Sequence, residues 1–105
     1  MKIANLSQLK RAFAAGHDFE IVEQYIKPEH TGEIRRVNVL QTNGMYTHVV
    51  GGKLDNAEMV NAWNYGKGSW IDFGKAGDWT FCDDLCTFAF RGRKIWTIRI
   101  LDSAA

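Results

Sequence analysis

From Asp18 onward the chain is a succession of short β-forming runs cut by turn residues, and this punctuation restricts its fold more than any other feature. Asp18 to Ile26 alternates, with Phe19, Ile21 and Tyr25 on one side and Glu20, Val22 and Gln24 on the other. Pro28 and Gly32 bracket a turn, and a second run from Glu33 to Gln41 puts Val37 and Val39 on one face. Asn43-Gly44, flanked by β-formers, predicts a two-residue type I′ hairpin, because both central residues of that turn need positive φ. Met45 to Val50 is the third run, ended by Gly51-Gly52. Trp70 to Phe73, Trp79 to Cys82, Leu85 to Phe90 and Ile95 to Leu101 read as four more, separated by Gly74 to Asp78, Asp83-Asp84, and Arg91 to Lys94.

Two helices interrupt this pattern. Asn5 with Gln8 makes a capping-box pattern, Leu6, Leu9 and Phe13 share a face, and Gly16 is a C-terminal stop, which predicts a helix from Leu6 to Ala15. Asp55 with Glu58 makes a second box, and Leu54 with Met59 a hydrophobic staple, ahead of a short helix from Asn56 to Trp63. A helix this short must pack on something larger. The expectation is an α+β domain spanning residues 1–105, with an N-terminal helix and a mostly antiparallel sheet of about six to seven strands. Strands in such close succession predict a sheet that is strongly bent or closes as a partial barrel.

The chain has 105 residues, 46% hydrophobic and 24% charged, which suits one globular core and not a disordered segment. A formal net charge of +1 gives no global pull toward nucleic acid or an anionic membrane. The charges are segregated, though. Asp18, Glu20, Glu23, Glu29 and Glu33 crowd one early segment, whereas Leu85 to Leu101 holds Arg91, Arg93, Lys94 and Arg99 without an acid. Pairing between strands of the two segments would neutralise both. Residues 1–16 lack the continuous apolar run of a signal peptide, and no stretch approaches the length of a membrane span. Two cysteines without a secretion signal suggest free thiols in a reducing compartment.

The chemistry-bearing residues form no catalytic pattern. With Asp83-Asp84 as a two-residue turn, Cys82 opposes Leu85 and Cys86 opposes Phe81, so the thiols point to opposite faces and neither a disulfide nor a metal pair is expected. His17, His30 and His48 have no metal-binding or triad spacing. Gly66-Lys67-Gly68-Ser69 has the composition of a phosphate loop, but Asn61 stands where its first glycine belongs and a strand follows instead of a helix. Asp72, Asp78, Asp83 and Asp84 all fall at turns, where Asp serves the backbone. A non-enzymatic protein without a cofactor is the expectation.

Aromatics are 12% of the chain, including four Trp, and some of them interleave with bases. Trp63, Tyr65, Lys67 and Trp70, with Arg91, Arg93 and Lys94 in a later loop, have the residue types of a partner-binding surface. The same mixture serves single-stranded nucleic acid, where rings stack bases and cations hold phosphates. Against this stands the reading of Trp70 and Trp79 as core, with Arg91 to Lys94 a solvated turn.

The blocks Gln41-Thr42-Asn43-Gly44-Met45-Tyr46, Gly66-Lys67-Gly68-Ser69-Trp70, Gly74-Lys75-Ala76-Gly77-Asp78-Trp79-Thr80-Phe81 and Cys86-Thr87 resemble an uncharacterised family of small orphan proteins of bacterial phages, plasmids and integrative elements. The resemblance implies a mobile-element accessory protein of the bacterial cytoplasm. It also implies a protein or protein–nucleic acid complex as partner, with a defence nuclease inhibited in the anti-CRISPR manner as the specific expectation. A small single-stranded DNA- or RNA-binding domain is the alternative, and no membrane partner is expected.

Overall fold

A computed structural model describes residues 1–50 and 69–104, with the side chains of Ser69, Trp70, Ser103 and Ala104 left aside. The expected helix Asn56 to Trp63, its capping residues and the Gly66 to Gly68 loop lie outside the described residues. The first helix, α1, spans Leu6–Ala14. Asn5 Oδ1 accepts from Gln8 N at 2.9 Å, while Gln8 Oε1 accepts from Ala4 N at 2.9 Å, so the box closes one residue earlier than its usual form. Gly16, at φ +91°, ends the helix. Leu6, Leu9, Ala12 and Phe13 are buried on one face.

Seven strands follow: β1 His17–Gln24, β2 Ile34–Leu40, β3 Gly44–Val49, β4 Ser69–Asp72, β5 Trp79–Cys82, β6 Leu85–Phe90 and β7 Arg93–Ala104. They form one antiparallel sheet in the order β4-β3-β2-β1-β7-β6-β5, with β4 and β5 as open edges. The α+β class therefore holds, with an open sheet. One face carries the core, where Phe13 of α1 meets the Phe19 ring edge-on at 5.4 Å and stacks with Phe73 at 6.3 Å. Phe19, Ile21, Met45, Cys86, Trp96, Ile98 and Ile100 supply the floor. Trp79 belongs to this core too: it is buried, and its Nε1 donates to Phe73 O at 2.8 Å.

Three local expectations need correction. The β2–β3 hairpin exists, with Leu40 opposite Met45, but Gln41 N donates to Gly44 O, so Thr42-Asn43 are its central residues. Neither Asn43 nor Gly44 has positive φ, and Gly44 is already the first residue of β3, paired with Asp72 of β4. Pairing with a further strand pulls Gly44 out of the turn. The positive-φ pair that type I′ geometry demands occurs instead at Arg91 (φ 53°) and Gly92 (φ 79°), between Phe90 and Arg93. The run Arg91 to Lys94 is thus not one loop: Arg93 and Lys94 already belong to β7. Lastly, Tyr25 does not share a face with Phe19 and Ile21. The β1–β7 register shifts between Ile21 and Glu23, and such an irregularity reverses the alternation beyond it. Tyr25 is accordingly exposed, with its hydroxyl 3.2 Å from Thr97 Oγ1.

Candidate functional site

The Arg91-Gly92 turn makes the β6–β7 hairpin a tight projection with Arg91, Arg93 and Lys94 all exposed. The Arg91 guanidinium carbon lies 5.2 Å from the centre of the Phe90 ring, and Lys94 Nζ lies 5.7 Å from that of Tyr25. Both distances are within the range where a cation is attracted to an aromatic face. None of the three bases makes an ion pair within the described residues.

Main-chain pairing brings the end of β1 to this hairpin, because Tyr25 N donates to Ile95 O at 3.0 Å. Tyr25 at 37%, Ile26 at 39% and Phe90 at 49% are among the most exposed large apolar residues described. They lie within a short stretch of sheet beside Lys27 and the hairpin bases. Sequence reasoning found the bases but missed Tyr25 and Ile26, since alternation alone puts Tyr25 inside.

The other expected site residues fall elsewhere. Trp63, Tyr65 and Lys67 lie outside the described residues. The backbone of Trp70 sits in edge strand β4 opposite Tyr46, and β3, β2 and β1 separate that strand from β7. The early acids are largely occupied. Arg36 Nε donates to Asp18 at 2.9 Å, Arg35 Nη2 to Glu33 at 2.7 Å, and Arg99 Nη1 to Glu20 at 3.1 Å. Cross-strand neutralisation between the two charged segments is therefore realised at Glu20 and Arg99 and stops short of the hairpin tip.

The cysteines follow the expected register, Cys82 opposite Leu85 and Phe81 opposite Cys86, and both are free. Burial, with the Asp84 charge behind it, pushes the Cys86 thiol up to about 11, which makes it a poor nucleophile. His17 Nδ1 lies 2.7 Å from Leu101 O, which ties the start of β1 to β7. His30 Nδ1 bonds Glu33, and His48 Nδ1 donates to Asn38 Oδ1. Among the described residues no group of three or more His, Cys, Asp or Glu side chains could hold a metal ion, and no helix is long and apolar enough to cross a membrane.

The geometry thus defines a small α+β domain with an aromatic and basic hairpin tip as its most distinctive described surface. The chain matches no protein-family model, and neither the curated proteins nor the solved structures contain a match to it.

Proposed function

We propose that this chain is a non-enzymatic binding module, and that the β6–β7 hairpin tip with the end of β1 is the surface that meets its partner. The observation that carries the reading is the placement of Arg91, Arg93 and Lys94, without acidic partners among the described residues, next to exposed Phe90, Tyr25 and Ile26. Arg and aromatic side chains dominate binding energy once an interface desolvates them. An internal role would instead pair these bases with acids, as the fold does for Arg36 and Arg99.

The resemblance to mobile-element proteins supports a protein or nucleoprotein partner in a bacterial host, and a defence nuclease held with its nucleic acid is the most specific form of that proposal. The tip would then supply both an apolar anchor and phosphate-directed charge. We further propose that the sheet curls toward a partial barrel. Residues 73–78 connect its two edge strands, and that segment reaches at most roughly 25 Å. The edges of a flat seven-stranded sheet would stand about 29 Å apart at the usual strand spacing.

The test is a variant with Arg91→Glu and Arg93→Glu, compared with the parent in a pull-down from bacterial lysate with and without nuclease treatment. The proposal expects binding weakened at least about tenfold, roughly 1.4 kcal/mol, with an unchanged melting temperature. Equal capture by parent and variant would remove this surface from the function. Binding to a short single-stranded oligonucleotide that falls steeply with salt, with no captured protein, would favour the nucleic-acid-binding alternative.

A further inference from the structure

The core-bearing face of the sheet holds a cavity of about 530 Å³, a size within the range of small-molecule sites. None of its lining residues belongs to α1, which packs over Phe19 and Phe73. Ile21 of β1, Phe88 of β6 and Trp96 of β7 give it a buried apolar floor, to which half-buried Ile71 and Ile95 add. Arg35 and His30 also reach the lining, and both are engaged. Arg35 donates to Glu33 and Thr47, while His30 Nδ1 meets Glu33. The interior therefore offers apolar contact, and no charge inside it calls for a counter-charge from a ligand.

The mouth is different. Its exposed lining includes Ile26, Lys27, Asp72 and Phe90. The Arg91 guanidinium carbon lies 5.2 Å from the centre of the Phe90 ring. Arg93 pairs directly opposite Phe90, and residues opposite one another in antiparallel strands share a face, so Arg93 stands on the cavity side. Lys94, the next residue along β7, belongs to the other face with Tyr25. Three bases, Lys27, Arg91 and Arg93, thus flank the mouth against one acid among its described lining residues, Asp72. None of the three makes an ion pair among the described residues.

We propose that the cavity binds a small monocarboxylate with an aliphatic body, the body lying against Ile21, Ile71, Phe88 and Ile95 and the carboxylate held at the mouth by Lys27 and Arg93. Apolar floor and basic rim match the two ends of such a molecule. A carboxylate left at the mouth keeps part of its water, so no charge is buried unpaired, and a guanidinium can meet it through two parallel hydrogen bonds. The mouth shares Ile26, Lys27 and Phe90 with the proposed partner surface, so a bound ligand would lie in the partner's path. The test uses the ligand alone, and its outcome is separate from that of the pull-down.

Octanoate, hexanoate and 1-octanol are each titrated at neutral pH into protein with ¹³C-labelled isoleucine methyl groups, assigned through single Ile→Val variants. With octanoate, the methyls of Ile21, Ile71 and Ile95 should shift saturably, while those of Ile98 and Ile100, buried in the core but absent from the lining, should not. Each methylene withdrawn from water is worth about fourfold in affinity, so octanoate should bind at least about tenfold more tightly than hexanoate. A merely apolar patch would favour 1-octanol, whose head is easier to dehydrate than a carboxylate. Octanoate should instead bind at least about threefold more tightly than 1-octanol, and Lys27→Gln with Arg93→Gln should erase that lead while leaving 1-octanol binding unchanged. No response to octanoate overturns the proposal, as do equal shifts at Ile98 and Ile100. So does 1-octanol binding as tightly as octanoate, no gain from hexanoate to octanoate, or a lead that survives the double variant.

Discussion

Glu20 and Arg99 stand directly opposite each other across the β1–β7 pairing, with Arg99 Nη1 donating to Glu20 Oε1 at 3.1 Å while Nε of the same guanidinium reaches Asp84 at 2.9 Å. One arginine thus links β1, β7 and the β5–β6 turn by charge. Both partners in the Glu20–Arg99 pair are about one-third exposed, so solvent screens the attraction. A double-mutant cycle of Glu20→Gln and Arg99→Gln, read by urea unfolding, should return a coupling of about 0.5 kcal/mol, and raised salt should shrink it. A coupling of several kcal/mol would mean that the pair is shielded from water.

Cysteine reactivity should divide cleanly. Cys82 is exposed at the end of β5, whereas Cys86 is fully buried with its thiol pushed up to about 11. Native protein treated with iodoacetamide should therefore gain one adduct, at Cys82, and a second only after denaturation. Two adducts at equal rates under native conditions would contradict the β5–β6 register.

The glycines at positive φ should differ in their tolerance of a side chain. At Gly74 (φ +58°) an added Cβ would lie 2.7 Å from Asp78 Oδ2 and 2.9 Å from the Phe88 ring, whereas at Gly92 (φ +79°) it would meet nothing. Gly92→Ala should cost about 1 kcal/mol of backbone strain. Gly74→Ala adds overlap to that strain and should cost roughly 2–4 kcal/mol, measured by chemical denaturation. Equal losses would show that the contact with Phe88 is easily relieved.

His48 should make stability fall on mild acidification. Burial, then the charges of Arg36 and Arg35, holds its imidazole below the ordinary value of 6.5 against an opposing pull from Asp18. The unfolded chain therefore takes up the proton first. The contribution of neutral His48 is complete above about pH 6.5 and declines as pH drops through the lowered folded value. His48→Asn, which retains a donor toward Asn38, should flatten the profile in that window. Glu33 acts at lower pH: hydrogen bonds from His30 and Arg35 outweigh the opposing effect of burial and bring it below 4.5, so its contribution is lost only in stronger acid. An unchanged profile in His48→Asn would transfer the mild-acid effect to another group.

Much of this protein was written in local pattern. The cap at Asn5, the stop at Gly16, the β5–β6 turn at Asp83-Asp84 and the opposite faces of Cys82 and Cys86 depend on residues close in sequence, whose backbone geometry and periodicity act over a few positions. The bases of the candidate surface, Arg91, Arg93 and Lys94, were visible for the same reason. What the tertiary structure decided was everything that depends on a neighbour distant in the chain. Pairing with β4 drew Gly44 out of its expected turn, and the shifted register against β7 turned Tyr25 from core to surface. Sheet registers are set by contacts between segments far apart in sequence, and a shift of one residue reverses every side chain beyond it. No local pattern carries that information.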